Sequence, residues 1–152
     1  MSGIALSFGF DDGPVRRHLA RLALLDSRGF EGVRREIGEY FVAEVQDNID
    51  GQKLADGAPM PQSKAAIARR GKTLLDKGHL RDSYVYQLVP GGIEIGSALV
   101  YAAIHHFGGE TGRKAHRFNM TARPVLGVHE RQERELGDFL IAEITKAQGG
   151  AA

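Results

Sequence analysis

The sequence contains no cysteine, no stretch that resembles a membrane span, and little net charge. Without cysteine the chain forms no disulfide and offers no thiolate ligand to a metal, which fits a reducing compartment. No run approaches the roughly 18 consecutive apolar residues of a transmembrane helix, so no membrane partner is predicted. The opening residues, MSGIALSFGFDDGP, lack a basic region ahead of an apolar one, so no signal peptide is predicted.

The length of 152 residues predicts one domain over residues 1–152. A chain of this size buries roughly two-thirds of its unfolded surface, so its core needs no disulfide or metal. Within the domain we expect residues 1–12 to form an extended arm or short strand. Residues 148–152 are expected to be a frayed tail.

Charge is unevenly distributed, although the formal net charge is only +1. Residues 31–50 carry six acids and two bases, whereas residues 63–82 carry six bases and two acids, and residues 113–123 carry four bases and no acid. This pattern fits either a solvated surface or a subunit whose acidic face meets a neighbour's basic face in a head-to-tail contact. The interface candidates are Glu36, Glu39, Arg69, Arg70, Lys72, Arg113, Lys114 and Arg117.

Apolar spacing predicts four longer helices. The first starts at DDGP and stops at Gly29, and the second starts at Phe30, with apolar residues stepping by four to Val45. After a loop over residues 50–62, Ser63 is predicted to cap a third helix that runs to Gly78. The last helix carries Leu136, Phe139, Leu140 and Ile144 on one face.

Two segments have the alternation of β-strands. Residues 84–89 and 93–95 flank Pro90–Gly92, which predicts a β-hairpin. LVYAAIHHFGG reads as a short helix ending at Gly108, and the basic stretch ETGRKAHRFNM as a long hairpin tip or a mobile loop. TARPVLGV is predicted to return as a strand, with Pro124 at an edge or strand end. The fold class is therefore α+β: a small antiparallel sheet packed against several helices, with a long basic loop.

No constellation of residues points to catalysis. His105 and His106 are adjacent, whereas two ligands of one metal need i, i+4 spacing on a helix or i, i+2 on a strand. The sequence has no G-x-S-x-G element, and RRGKT lacks the leading glycine of a phosphate-binding loop. We therefore predict no catalytic residue, metal or cofactor. Nucleic-acid binding has some support from the basic segments, but no known DNA- or RNA-binding module is present.

The order of several motifs resembles the phage virion morphogenesis family, the tail-completion proteins of Mu-like bacteriophages and prophages. The resemblance covers about residues 30–145 and rests on KTLLDKGHLRDSY, IEIGSALVYAAIHHFGG and ARPVLGV. Departures from the family pattern are Lys77, His106 and Val125, in place of threonine, glutamine and phenylalanine. The motif positions to which we assign structural roles are Tyr101, Ile104, His105, Phe107, Gly108, Gly109, Arg123 and Pro124.

The resemblance implies a non-enzymatic virion protein that closes the head-proximal end of the tail tube as a ring, which we expect to be a hexamer. Its partners would then be the tail tube protein and the head connector or neck proteins, with non-specific contact to DNA passing through the ring. It would reside in the tail or neck region of the virion, and in the host cytoplasm during assembly. Within the motif, Ile104 and Phe107 are expected to pack inward while the histidines flank them.

Three alternatives stay open at this point. One is a ring on the head side of the same junction, either a connector or a stopper. The others are a metal-dependent hydrolase using His105, His106 and His116, and a small DNA-binding protein.

Overall fold

The computed structural model describes residues 13–24 and 30–149. Two strand pairs form separate two-stranded antiparallel sheets, and the predicted α+β class is confirmed. The predicted N-terminal arm and the stop at Gly29 lie outside the described residues. The helices are α1 (Gly13–Leu24), α2 (Phe30–Asp50), α3 (Lys64–Ala68), α4 (Ala102–Phe107) and α5 (Glu130–Ala147), and the strands are β1 (Tyr84–Val89), β2 (Gly92–Ser97), β3 (Gly109–Arg113) and β4 (His116–Met120).

Helix α2 forms the centre of the core. Val33, Phe41, Val45 and Ile49 are buried, as the four-residue spacing predicted, because residues four apart share one face of an α-helix. Burying an aliphatic side chain of this size contributes about 1.5–3 kcal/mol. The cluster around Val45 and Ile49 therefore ties several distant segments to this helix, through Met60, Leu80, Tyr84, Ala102 and Val125.

The first hairpin packs directly on α2. Strands β1 and β2 pair from Tyr84 with Ser97 to Val89 with Gly92, and Gly91 at the turn has a φ of 79°. The predicted hairpin is thus confirmed at its predicted turn. Gly38 lets the sheet approach closely, because a Cβ at this position would lie 2.4 Å from the ring of Tyr86.

Helix α5 is joined to α2 by a buried polar cluster. The amide of Gln132 donates to the Ala55 carbonyl at 2.9 Å and to Glu44 at 3.2 Å, and its oxygen accepts from the backbone N–H of His129 at 3.1 Å. Arg131 adds an ion pair to the same Glu44 carboxylate. These bonds satisfy a side chain that is fully buried, with 0% exposure at Gln132.

The third helix is shorter than predicted. Ser63 caps it as expected, accepting from the backbone N–H of Ala66 at 3.1 Å, but the helix ends at Ala68 instead of reaching Gly78. Long-range hydrogen bonds replace helical ones beyond that point. The side chain of Gln52 bonds both the N–H of Thr73 at 2.7 Å and its carbonyl at 2.9 Å. Arg70, with a φ of 54°, leaves the helical region altogether.

The segment after β4 is not the predicted strand. Residues 121–129 are irregular, and their backbone bonds go to helix α4, the Ala55 loop and side chains instead of to a neighbouring strand. The N–H of Ala55 donates to the Pro124 carbonyl at 2.9 Å, and Asn48 donates to the Val125 carbonyl at 3.0 Å. Each carbonyl is satisfied by a different element, so no ladder forms and Pro124 is not at a strand edge.

The basic stretch ETGRKAHRFNM is a hairpin, one of its two predicted forms. Strands β3 and β4 pair from Gly109 with Met120 to Arg113 with His116. Most of its side chains are exposed. The hairpin therefore extends from the core as a separate two-stranded sheet.

Candidate functional site

Helix α4 presents three different surfaces. Ala102 is buried in the core, while Tyr101 and His105 lie on a second face, with ring centroids 6.0 Å apart. Phe107 is 77% exposed, so the prediction that it packs inward is wrong. The step from Ile104 to Phe107 resembles a core stripe, but each residue turns the helix by about 100°, which places Phe107 some 140° away from Ala102. Ile104 itself is half-buried.

The two glycines after α4 make the predicted sharp turn. Gly108 and Gly109 have φ values of 70° and 121°, which favour glycine. A Cβ on Gly108 would lie 2.7 Å from the backbone nitrogen of Ala122 and 2.8 Å from the Met120 carbonyl. This close approach fixes the β3–β4 hairpin beside α4.

Arg123 is a buried cation, with 4% exposure. Its Nε donates to the Pro61 carbonyl at 2.7 Å, and its Nη1 donates to the Thr121 carbonyl at 3.0 Å. Burial lowers the pKa of Arg123. No carboxylate pairs with it within residues 13–24 and 30–149, so the guanidinium is held by two carbonyl groups and by the Met120 sulfur, 4.0 Å from Nη1.

His105 lies near this cation. Its Nδ1 is buried and has no hydrogen-bond partner in the described part of the chain. Burial first, and the charge of Arg123 second, lower the pKa of His105, which favours the neutral imidazole. The backbone carbonyl of His105 accepts from the N–H of Arg123 at 2.8 Å, which fixes the two residues relative to each other.

Arg123 and His105 line a cleft of about 750 Å³, which we call the basic cleft. One wall is α3 with the loop that follows it, and the other is α4 with the β3–β4 hairpin. Further basic side chains reach it from the first wall: Lys64, Arg69, Lys77 and His79. Apolar side chains also line it, namely Leu74, Leu80, Tyr101, Phe118 and Met120, together with the acidic Asp76 and the polar Gln62, Ser63, Asn119 and Thr121.

Two of the predicted basic interface residues bind within the subunit. Arg69 Nη2 donates to the Lys72 carbonyl at 2.6 Å, and Lys72 Nζ donates to the Asp50 carbonyl at the end of α2 at 2.6 Å. A cation there complements the helix dipole. Arg70 is exposed, on the loop that replaces the expected helix, and its side chain forms no hydrogen bond or ion pair with the described residues.

The remaining interface candidates lie on two other surfaces. Arg113 and Lys114 are exposed at the tip of the β3–β4 hairpin, and Arg117 lies 3.3 Å from Glu110 in an exposed ion pair. On α2, Glu36 and Glu39 are exposed beside β1. The structure thus places the acidic and basic candidates on separate surfaces of the subunit.

The sequence did not predict two exposed apolar side chains in this region, nor the basic cleft. Val100 is 97% exposed just before α4, and Phe118 is exposed on β4. The exposure of Phe118 could have been predicted, because it is an isolated apolar residue in a basic stretch. The basic cleft had no local signal, because its walls come from segments about 40 residues apart in sequence.

Two further observations concern metal sites and membrane-spanning helices. No group of three or more histidine, aspartate or glutamate side chains in the described residues is arranged to hold a metal ion. None of the helices in the described ranges is both long enough and apolar enough to cross a membrane.

Comparison with known proteins gives one significant match. The model of a protein family described as the phage virion morphogenesis family matches residues 10–145, most of the chain. This confirms the resemblance carried by the IEIGSALVYAAIHHFGG and ARPVLGV motifs. Neither a curated protein nor a solved structure gives a significant match.

Proposed function

Because the chain belongs to the phage virion morphogenesis family, we propose that it is a tail-completion subunit that forms a ring at the head-proximal end of the tail. The family is one of structural and assembly proteins, and the chain is a structural, virion-associated phage protein. In the proposed role it has no enzymatic activity. It stops growth of the tail tube and offers a surface to the connector or neck proteins of the head.

The exposed phenyl group of Phe107 is the observation that best supports a ring of subunits. An isolated subunit gains nothing from an aromatic side chain held in water at the end of a helix. Large aromatic side chains are enriched in protein interfaces, where they fill pockets on a partner. The phenyl group of Phe107 packs edge-on against the His106 imidazole, with 4.7 Å between ring centroids, and two glycines follow it, so most of its surface stays open to a neighbour.

A ring requires two different contact surfaces on each subunit. In a head-to-tail contact, one patch of a subunit meets a second, different patch of the next. Phe107 supplies the apolar contact of one patch. The acidic and basic interface candidates, such as Glu36, Glu39 and Arg70, set how neighbouring subunits align. They add little affinity, because an exposed ion pair contributes only about 0–1 kcal/mol.

Assembly of a matched pair of variants tests this proposal. Phe107→Ser removes the exposed ring on α4, and Ile141→Ser removes a similarly exposed apolar side chain on α5. Native mass spectrometry should show a ring, expected to be hexameric, for the parent and Ile141→Ser, and mostly monomer for Phe107→Ser. Equal assembly of both variants would contradict the role of Phe107. Absence of any ring from the parent protein, with or without tail tube protein, would contradict the proposed function.

Electron micrographs of the encoding phage extend the test to the virion. Without the protein, heads and tails should accumulate unjoined, and the protein should be found on the tails. A protein found on the heads would instead support the connector or stopper ring.

A further inference from the structure

We propose that the basic cleft binds an acidic segment of a partner protein, with a carboxylate against Arg123 and an adjoining apolar side chain against Phe118 and Met120. The cleft is separate from the proposed ring contact, because Phe107 does not line it. The inference therefore goes beyond subunit association and concerns a second partner.

The guanidinium of Arg123 is the first reason. Carbonyl groups occupy its Nε and Nη1, but its Nη2 has no acceptor among the described residues. A buried charge that lacks a counter-charge is costly, and a carboxylate that accepts from a guanidinium forms one of the strongest hydrogen-bonded pairs in proteins. An incoming carboxylate would complete a site that is already held rigid from two sides.

The charge on the opposite wall is the second reason. Arg69 is partly compensated by Asp76, with 3.9 Å between its Nε and the carboxylate. Lys64 and Lys77 line the same wall, and neither forms an ion pair within the described ranges. Together with Arg123 they give the cleft an excess of positive charge, which is complementary to an acidic segment.

The apolar surface favours a peptide over a DNA duplex. Phe118, Met120 and Leu74 line the cleft between its basic groups, and they have no counterpart in a phosphate backbone. A cavity of about 750 Å³ has the size of a pocket for a few side chains, and a DNA duplex is too wide to enter it. A carboxylate beside an apolar side chain matches both kinds of surface.

Binding of 3-phenylpropionate, compared with its neutral analogue 3-phenylpropionamide, tests the charge requirement. The acid combines a carboxylate with an aromatic ring, and we expect saturable binding in the millimolar range that is usual for so small a ligand. Nuclear magnetic resonance should show shifts at Met120 and His105. The pKa of His105 should rise on binding, because a carboxylate beside the imidazole favours the protonated form. The amide should bind at least about tenfold more weakly.

Two double variants locate the site. Lys64→Gln with Lys77→Gln removes two charges from the cleft, whereas Arg113→Gln with Lys114→Gln removes two charges from the hairpin tip outside it. The first should weaken binding at least about fivefold and the second less than about twofold, because opposite charges act mainly at short range in salt. Equal binding of acid and amide, equal loss in both variants, or no saturable binding would overturn the proposal. Shifts of the cleft resonances by a short DNA duplex, with none from the acid, would overturn it in favour of nucleic acid.

Discussion

Glu44 and Arg123 are both buried charged side chains, but within the described residues only Glu44 meets an opposite charge. Glu44, beneath α5, accepts from Arg131 and from the amide of Gln132. Arg123, beneath the basic cleft, donates to two carbonyl groups and the Met120 sulfur and keeps Nη2 without an acceptor in the described part of the chain. Folding compensates the first charge, and the proposed acidic ligand would compensate the second.

The difference separates a stabilising region from a binding region. The Glu44 cluster joins two long helices and the Ala55 loop, so breaking it should affect folding. Arg123 has its oxygen acceptors on the backbone of two exposed residues, Pro61 and Thr121, and not on a second buried element. Its loss should therefore affect binding more than folding.

Gln132→Ala should have the largest effect on stability. The change removes three hydrogen bonds at a position without exposure and leaves the His129 N–H and the Ala55 carbonyl without their partner. Unsatisfied buried groups cost about 1–3 kcal/mol each, so we expect a loss of about 2–4 kcal/mol in urea unfolding. Glu135→Ala, on the exposed side of the same helix, is the control and should change stability little. Similar stability of both variants would show that the polar cluster is dispensable.

Gly108→Ala should follow closely. Gly108 combines a φ of 70° with a position where a Cβ would lie within 3 Å of two backbone atoms. Backbone strain of this kind costs about 1–3 kcal/mol, and the displaced hairpin should also lose its contact with α4. Gly137→Ala on α5, where a Cβ meets no atom within 4 Å, is the matched control. Thermal unfolding should show a marked fall only for Gly108→Ala, and an unchanged midpoint would contradict the turn assignment.

Local sequence patterns predicted the elements whose structure is determined by residues close to them in sequence. The helical spacing of apolar residues placed Val33, Phe41, Val45 and Ile49 on one face of α2, and Pro90–Gly92 placed the first hairpin. In both cases neighbours in sequence decide the structure. The SKAAIARRGKTLLDKG segment failed as a helix because Gln52, about 20 residues earlier, binds the backbone of Thr73.

The candidate site was predictable only in part. The motif ending in Gly108 and Gly109 correctly placed a helix and a turn, but spacing alone could not tell which side of a six-residue helix faces the core. Arg123 was assigned a structural role from the family motif, yet its burial beside His105 depends on the path of residues 121–129. That path follows from hydrogen bonds to the Ala55 loop and to Asn48, which no local pattern contains.

The Arg123→Met variant tests whether the buried charge of Arg123, unlike that of Glu44, matters more for binding than for stability. Methionine has a similar length and no charge, so the cost of burying the cation disappears while most of the packing stays. We expect a change in stability of about 1 kcal/mol or less by urea unfolding. Binding of 3-phenylpropionate should fall at least about tenfold. A loss of stability as large as that of Gln132→Ala would show that Arg123, like Glu44, is chiefly a structural charge.

Stability should depend on His105 at mildly acidic pH. Its folded-state pKa lies below the value of about 6.5 expected for the unfolded chain, so below that pH the unfolded state takes up the proton first. The contribution of the neutral imidazole is thus complete above about pH 6.5 and is lost as the pH falls toward the folded-state pKa. Between about pH 7.5 and about pH 5.5, His105→Gln should lose less stability than the parent. His116→Gln on the exposed strand β4 should follow the parent. Parallel pH curves for all three proteins would contradict the burial of His105.

Phe107→Ala should change the free energy of unfolding of the isolated subunit the least. The variant decides whether the Phe107 side chain is buried in the core, as the sequence predicted, or exposed, as in the structure. A core phenylalanine costs about 3–5 kcal/mol when it is truncated, because packing is lost and a cavity remains. An exposed one costs within about 0.5 kcal/mol. With 77% of Phe107 accessible, we expect the second value in urea unfolding of the monomer at low protein concentration. The measurement must be made there, because in a ring the side chain would be buried and its loss would appear as concentration-dependent destabilisation. A loss of several kcal/mol that does not vary with protein concentration would place Phe107 in the core of the subunit and remove it from the proposed contact surface.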